Sequence, residues 1–112
     1  MIYMKGETMK LYRYHKDCGR MGSIEGLLFL TQEQLKNYRE YRHALYWDEL
    51  LGKHSEGTFD FSDENLELID LPEDINETLY SRLGAVLSGP FDLDYFDEQI
   101  EDAKARESDD DD

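Results

Sequence analysis

The sequence predicts an α+β domain in which a mostly antiparallel sheet of four or five strands is covered by two or three helices. Short runs rich in tyrosine and leucine, bounded by glycine and polar residues, predict the strands. Stretches with apolar residues at helical spacing, one after a capping sequence and two after Pro72, predict the helices. An irregular succession of strands and helices is typical of α+β domains.

The first two strands are predicted to form a hairpin. Residues 9–15 alternate weakly and are rich in tyrosine, which favours a strand. Residues 24–30 are a continuous apolar run that is long enough for a buried strand and too short for a helix. The polar residues 16–23 between them contain two glycines, which indicates a turn.

A helix is predicted to begin after Thr31. Its hydroxyl can accept a hydrogen bond from the third backbone N–H of the helix, and the Gln34 side chain can reach back to the backbone of Thr31. This reciprocal arrangement is a capping box, which marks the start of a helix.

The end of this helix has two interpretations. It extends to Leu51 and is capped by the glycine that follows, or it ends near His43 and residues 44–51 form a strand. The adjacent tyrosine and tryptophan at positions 46 and 47 favour the strand, which is our prediction. Residues 52–57 are then a turn into a further strand, residues 58–61.

The C-terminal half is predicted to contain one strand and two helices. Residues 65–71 alternate between apolar and acidic side chains, as a half-buried strand does. Pro72 then occupies the first position of a helix whose apolar face extends to Leu87 and which ends at the Gly-Pro pair 89–90. Residues 93–103 form a last amphipathic helix with an acidic outer face.

A chain of 112 residues is long enough for one domain. We expect residues 1–8 to be a flexible leader and residues 9–106 to be a single α+β domain. Residues 107–112 are predicted to be a disordered acidic tail, because a run of like charges repels itself and has nothing to bury.

The formal charge of −15 is distributed unevenly along the chain. Residues 1–55 contain nine basic and seven acidic residues, whereas residues 56–112 contain three basic and twenty acidic ones. The acidic half disfavours direct binding to nucleic acid or to an anionic membrane, because phosphate groups are repelled. Such a surface can imitate nucleic acid toward a basic partner, although an acidic excess that only maintains solubility fits the same composition.

The composition argues against several classes of protein. No apolar run approaches the roughly 20 residues of a membrane span, and the N-terminus has no apolar core of a secretory signal. The single Cys18 excludes an intramolecular disulfide and suits a reduced cytoplasmic thiol. The three histidines lack ligand spacing and no catalytic pattern is assignable, so we expect no enzyme, no metal and no cofactor.

Two glycine-flanked turns can approach an anion closely. Arg20 lies between glycines at 19 and 22, where its guanidinium can present a fork of donors. Lys53, His54 and Ser55 lie between glycines at 52 and 57, where backbone N–H groups and the lysine can face a phosphate. The order and context of a P-loop are missing. Both stretches also fit ordinary polar turns.

Residues 17–29 and 46–56 together resemble a group of small, mostly uncharacterised phage and prophage proteins. The resemblance rests on a Gly-Arg-x-Gly turn before a strand, residues 19–22 here, and on a Leu-Gly-Lys-His-Ser-Glu loop after an aromatic strand, residues 51–56 here. It covers about half the chain, and the acidic C-terminal part departs from it. The group implies a phage origin and an α+β fold but no known reaction; small acidic phage proteins often inhibit host machinery, defence nucleases included.

We therefore expect a phage-type accessory protein of the host cytoplasm that is not an enzyme and that binds and inhibits a host or defence protein. The acidic helices after Pro72 would dock on a basic, nucleic-acid-binding surface of that partner, with apolar residues such as Phe91 as anchors. The residues predicted to bind the partner are Asp94, Tyr95, Phe96, Asp97, Glu98, Glu101 and Asp102.

The alternative prediction is a binder or sponge of a nucleotide or another phosphorylated small ligand. In that case the ligand is held by the two glycine-flanked turns, with the ligand-binding residues Arg20, Lys53, His54 and Ser55.

Overall fold

A computed structural model describes residues 9–109 of the chain; the predicted leader, residues 1–8, and positions 110–112 of the predicted tail lie outside the described residues. Within this range no helix is long and apolar enough to cross a membrane. The chain has an α+β fold whose elements are β1 (Met9–Asp17), β2 (Ser23–Thr31), α1 (Gln32–Glu40), β3 (Tyr46–Asp48), β4 (Glu56–Thr58), β5 (Leu66–Ile69), α2 (Glu73–Leu83), β6 (Val86–Ser88) and α3 (Leu93–Asp109).

The predicted hairpin of β1 and β2 lies at the centre of a four-stranded antiparallel sheet. Its register pairs Met9 with Thr31 at one end and Asp17 with Ser23 at the other, so both strands are paired along their whole length. A short 3-10 turn, Gly19–Met21, connects them. The strand order is β5-β1-β2-β6, which leaves the two short strands at the edges.

The capping box at the start of α1 is confirmed. The Gln34 backbone N–H donates to the Thr31 hydroxyl and the Thr31 N–H donates to the Gln34 side chain, both at 3.0 Å. The helix ends at Glu40, and one 3-10 turn, Arg42–Ala44, leads into β3. The predicted strand after this helix is therefore present, but it covers Tyr46–Asp48 rather than all of residues 44–51.

Strands β3 and β4 form a second, two-stranded sheet, which we call the ribbon. Its inner face packs tightly because Gly57 lies under the ring of Trp47, where a Cβ atom would lie only 2.8 Å from a ring carbon. The Nζ of Lys16, near the end of β1, donates to the Thr58 carbonyl at 2.6 Å. The ribbon is therefore held against the main sheet without joining it.

Helix α2 is shorter than predicted at both ends. Pro72 has φ −55° and ψ 147°, so it caps the helix instead of occupying its first position, and Glu73 begins the helix. The helix ends at Leu83 because Gly84 adopts a φ of +84°, a left-handed conformation that favours glycine.

The residues after α2 form the edge strand β6, so the prediction that Val86 and Leu87 belong to the helix was wrong. The Phe29 N–H donates to the Ala85 carbonyl at 2.7 Å, and β6 pairs with β2 from there. Val86 and Leu87 fit the helical spacing. Because Gly84 ends the helix, however, the backbone N–H and C=O groups of the residues that follow need new partners, and the edge of β2 supplies them.

Helices cover the main sheet on both faces. Phe29 pairs with Leu11, three residues from Tyr14, so Phe29 and Tyr14 lie on opposite faces of the sheet. Helix α2 packs on the Phe29 face through Tyr80, with the two rings edge to face and their centres 5.9 Å apart. Helices α1 and α3 and the ribbon cover the Tyr14 face.

Six rings fill the core on the Tyr14 face, and we call them the aromatic cluster: Tyr14, Tyr38, Phe59, Phe61, Phe91 and Phe96. The shortest distance between ring centres in the cluster is 5.0 Å, between Phe59 and Phe96. Gly26 makes room for Phe91, because a Cβ atom at Gly26 would lie 2.3 Å from that ring. The cluster joins β1, α1, the segment after β4 and the start of α3.

Helix α3 continues to Asp109, three residues into the segment predicted as a tail. The Tyr41 hydroxyl donates to the carboxylate of Glu107. This hydrogen bond is the largest cause that raises the pKa of Tyr41 to about 12. The last part of α3 is thus connected to the segment that follows α1.

Replacement of Phe96 tests the position of α3. Phe96 is 2% exposed and contacts Tyr38 and Phe59, so Phe96→Ala is expected to lower the free energy of unfolding by about 3–5 kcal/mol. Its neighbour Tyr95 is 40% exposed, and Tyr95→Ala is expected to change the same quantity by less than about 1 kcal/mol. Urea unfolding measures both values, and equal losses would contradict this placement of the helix.

Candidate functional site

Most of the residues predicted to bind a partner are exposed on α3. They are Asp94, Tyr95, Glu98, Glu101 and Asp102. Glu101 and Asp102 form ion pairs along the same helix, with Lys104 at 3.9 Å and with Arg106 at 2.9 Å. Asp94 and Glu98 are one helical turn apart and flank Tyr95.

Phe96 and Asp97 do not belong to this exposed side, which corrects their assignment as partner-binding residues. Phe96 lies in the aromatic cluster, as does the proposed anchor Phe91. The Asp97 carboxylate accepts a hydrogen bond from the Tyr38 hydroxyl at 2.7 Å and another from the Gln34 side chain at 3.4 Å. Asp97 therefore fastens α3 to α1 instead of facing a partner.

The buried environment of Tyr38 gives the contact with Asp97 its importance. Burial is the largest cause that raises the pKa of Tyr38, and the hydrogen bond to Asp97 adds to it. The tyrosine therefore remains a neutral donor to a carboxylate acceptor, and a charge-assisted bond of this kind is stronger than a neutral one.

The start of α3 fixes the position of its exposed tyrosine. The Tyr95 backbone N–H donates to the Asp92 carboxylate at 3.1 Å, and the Phe96 N–H donates to the Asp92 carbonyl at 3.0 Å. Asp92 thus acts as the N-cap of the helix. With Phe96 held in the core, the preceding side chain must face outward.

The outer face of the ribbon brings further residues to this side of the molecule. Tyr46 and Asp48 of β3 and Glu56 of β4 are exposed, while Trp47 between them is buried. Asp48 is paired directly with Glu56 across the two strands. Like charges in directly opposed positions destabilise a ribbon.

The pKa of Tyr46 responds to charged and ionisable groups of both the ribbon and α3. Partial burial is the largest cause that raises the pKa of Tyr46, followed by the carboxylates of Glu56 and Asp48 and by the phenol of Tyr95. Tyr46 and Tyr95 are 45% and 40% exposed. We call the resulting area the acidic tyrosine surface; its residues are Tyr46, Asp48, Glu56, Asp94, Tyr95 and Glu98.

The ribbon residues of this surface are absent from the sequence prediction. The adjacent aromatic residues at 46 and 47 predict a strand, but they do not show which of the two faces outward. The electrostatic influence of Tyr95 on Tyr46 was not detectable, because it depends on how the fold arranges the ribbon and the helix.

The acids of α2 do not join the acidic tyrosine surface. Glu73, Asp74 and Glu77 belong to a helix that packs on the Phe29 face of the sheet, whereas α3 packs on the opposite face. The two acidic helices after Pro72 therefore cannot dock together on one flat surface of a partner.

The turn that contains Arg20 is exposed and is closed by hydrogen bonds. The Cys18 N–H donates to the Gly22 carbonyl at 2.8 Å, and the Gly19 N–H donates to the Asp17 carboxylate at 2.8 Å. Arg20 therefore points into solvent from a closed turn, and a carboxylate lies nearby in the same turn.

The second predicted anion-binding turn contributes fewer groups than expected. Lys53 and His54 are exposed, but Ser55 is only 5% exposed. The Ser55 hydroxyl donates to the Gly52 carbonyl at 2.7 Å and accepts from the Leu51 N–H at 3.1 Å. Its hydrogen bonds thus close the loop instead of facing a ligand.

The two glycine-flanked turns lie next to each other. A Cβ atom placed on Gly22 would lie 3.9 Å from a methyl group of Leu51. The hairpin turn of the main sheet and the loop of the ribbon are therefore at the same end of the molecule, although none of these contacts joins Arg20 to Lys53.

Comparisons with protein-family models, with curated proteins and with solved structures give no match. Among residues 9–109, no group of three histidine, cysteine or carboxylate side chains is arranged to hold a metal ion. The function of the surface therefore has to follow from its geometry and charge.

Adjacent substitutions on α3 separate the structural carboxylate from the exposed one. Asp97→Ala is expected to cost about 1–3 kcal/mol of stability, because the buried Tyr38 hydroxyl loses its acceptor. Asp97→Asn keeps an acceptor oxygen and should recover most of that loss, while Glu98→Ala should leave stability within about 0.5 kcal/mol. Thermal unfolding of the three variants checks this order, and a stable Asp97→Ala protein would contradict the structural role.

Proposed function

We propose that this chain is a binding protein without enzymatic activity, and that its acidic tyrosine surface docks on a basic surface of a partner protein. The observation that carries the proposal is the pair of exposed tyrosines, one on the ribbon and one on α3, set among four exposed carboxylates. Large aromatic residues surrounded by charge are typical of the residues that dominate binding energy at interfaces.

The chemistry of this surface favours arginine in the partner. A guanidinium can lie over the face of a tyrosine ring while its N–H groups meet a carboxylate. Tyr46 has Asp48 and Glu56 on the same outer face of the ribbon, and Tyr95 has Asp94 and Glu98 beside it on the helix. Each tyrosine therefore offers a ring and carboxylates to the same cation.

The opposed pair of Asp48 and Glu56 supports a binding role. Two like charges across the ribbon cost stability, and either residue could be replaced by a neutral one without disturbing the core, since both side chains are exposed. A local arrangement that weakens the fold is typical of a functional position. A cation from a partner would relieve the repulsion between the two carboxylates.

The proposed class of partner rests on the charge of the chain and on its resemblance to small phage proteins. A chain of net charge −15 attracts proteins that normally bind nucleic acid, because this chain and a nucleic acid both present dense negative charge to the basic surface of such a protein. We propose that the partner is a host or defence protein of this kind in the host cytoplasm, and that the chain inhibits it by occupying the nucleic-acid site.

Neutralising the opposed carboxylates is expected to move stability and binding in opposite directions. The double variant Asp48→Asn/Glu56→Gln should gain about 0.2–1 kcal/mol in stability, since the cross-strand repulsion is removed. The same variant should bind a labelled hexaarginine peptide several-fold more weakly in fluorescence anisotropy. Thermal unfolding and the peptide titration are carried out on the same samples.

The control for that experiment removes the same amount of charge elsewhere. Glu33→Gln/Glu40→Gln neutralises two exposed acids of α1 and should leave peptide affinity close to that of the unaltered chain. Equal weakening by both double variants would show that only net charge matters and would overturn the proposed surface. A hexalysine peptide should bind more weakly than hexaarginine, because lysine cannot form the planar contact with a tyrosine ring.

A phosphate-binding role for the two glycine-flanked turns is the second candidate function. The observation that favours it is the proximity of Gly22 to Leu51, which places both turns at one end of the molecule. Arg20 and Lys53 are exposed there and can supply two charge-assisted contacts to one phosphate group.

Single substitutions test this second candidate by calorimetry with ATP as the probe. Arg20→Ala and Lys53→Ala should each weaken ATP binding, and their effects should be non-additive because the two groups share one ligand. Both variants should unfold at the temperature of the unaltered chain, since both side chains are exposed. The absence of measurable heat with the unaltered chain would remove this candidate.

A further inference from the structure

The outer edge of the main sheet at β5 has open backbone groups. The His15 N–H donates to the Asn65 carbonyl at 2.9 Å, and the register pairs Arg13 with Glu67. In an antiparallel pair, hydrogen-bonded positions alternate with positions whose backbone groups point away from the partner strand. The N–H and C=O of Leu68 therefore point outward from the sheet, and so does the C=O of Leu66.

The side chains along this edge differ between the two faces of the sheet. Leu66 and Leu68 pair with Tyr14 and Tyr12 and lie on one face, while Glu67 lies on the other. Leu68 is 47% exposed, one of the most exposed large apolar residues of the described chain. The edge therefore presents an apolar side chain on one face and a carboxylate on the other.

Each end of β5 borders a cavity with acidic walls. A cavity of about 350 Å³ lies beside Glu67, and its walls include Glu25, Asp63 and Glu64. Arg13 forms ion pairs there with Glu25 at 3.6 Å and with Glu67 at 3.8 Å, so one cation faces several carboxylates.

The second cavity, of about 200 Å³, lies between β5 and the start of α2. Leu68, Asp70, Glu73 and Asn76 line it, together with Lys10. The Oδ1 atom of Asn76 is buried and has no hydrogen-bond partner among the described residues. The carboxylates of Asp70 and Glu73 in the wall of this cavity suit a donor that carries positive charge.

From these observations we infer that the β5 edge is a docking site for an extended, basic segment of a partner protein, which adds to the sheet as a further strand. Main-chain hydrogen bonds to Leu68 would give affinity, and alternate side chains would give specificity. The apolar residues of the segment face Leu68, and its lysines or arginines face Glu67 and the acidic cavities.

Charge distinguishes this occupant from a second copy of the same chain. Exposed edges of native sheets are commonly protected by charged side chains. Here the charges around the edge are mainly acidic, so two such edges repel each other, whereas a basic strand is attracted. The site differs from the acidic tyrosine surface, which is built from the ribbon and α3.

Hydrogen exchange on the unaltered chain tests this inference. The probe is a capped heptapeptide that alternates lysine and valine. With the peptide at saturation, the exchange rate of the Leu68 amide is expected to fall by a factor of about ten or more, because the amide becomes hydrogen-bonded. The amides of Glu67 and Ile69 face β1 and serve as internal references that are protected in both states. An unchanged Leu68 rate overturns the inference.

A proline substitution tests the same contact through affinity. Because the Leu68 N–H points outward, Leu68→Pro removes only the donor that faces the incoming strand and is compatible with an edge position. Its affinity for the peptide should fall by about tenfold or more, while Leu68→Ala, which keeps the donor, should lose less. Equal affinities of Leu68→Pro and the unaltered chain contradict the inference, and circular dichroism confirms that each variant is folded.

Two further controls separate this site from general attraction to an acidic protein. A heptapeptide of the same composition, with its lysines grouped together, keeps the charge but loses the alternation and should bind more weakly. The variant Asp48→Asn/Glu56→Gln alters only the acidic tyrosine surface. The alternating peptide should therefore protect the Leu68 amide in this variant as it does in the unaltered chain. Equal binding of both peptides, with no protection at Leu68, would reduce the interaction to charge alone.

Discussion

The aromatic cluster on the Tyr14 face of the sheet is the contact on which the rest of the structure depends. Its six rings come from β1, α1, the segment after β4 and the start of α3, and edge-to-face or tilted contacts join them at centre distances such as 5.1 Å between Tyr14 and Phe61. Each such pair contributes about 0.5–1.5 kcal/mol beyond the burial of its area. The cluster holds α1, α3 and the segment after the ribbon in fixed positions relative to one another, and this arrangement sets how Tyr95 acts on the pKa of Tyr46.

The strong negative charge acts against this core. Few basic residues are available in the second half of the chain, so most acids there can only be solvated or placed next to one another. The molecule accommodates some of them structurally: Asp92 caps α3, and Asp97 accepts the Tyr38 hydroxyl. The opposed Asp48 and Glu56 have no such structural role, and this is why we assign them to binding.

The elements that the sequence predicts well are those with local signals. The central hairpin, the capping box at Thr31 and the strand over Leu66–Ile69 all follow from alternation or capping within a few residues. The end of α2 was missed because Val86 and Leu87 fit a helical spacing, while the pairing that makes them a strand involves β2, far away in sequence. Local pattern cannot reveal a partner strand.

The candidate site shows the same division. Helical spacing placed five acids on the outer side of α3, and four of them are exposed there: Asp94, Glu98, Glu101 and Asp102. The same spacing places Phe96 on the apolar side of the helix, where it is buried, but the role of Asp97 could not be read from the sequence because it depends on Tyr38 lying opposite the helix. Ser55 likewise offered a hydroxyl in the sequence, and the fold of its loop uses that hydroxyl internally.

We propose that the ribbon and α3 together form one binding surface for arginine-rich partners. The most direct measurement is a nuclear magnetic resonance titration of the labelled chain with hexaarginine at physiological salt, where long-range attraction is screened beyond about 8 Å. The largest shifts are expected to occur together on both elements, at Tyr46, Asp48, Glu56 and Tyr95. Shifts spread evenly over all acidic residues, or confined to α2, would contradict it.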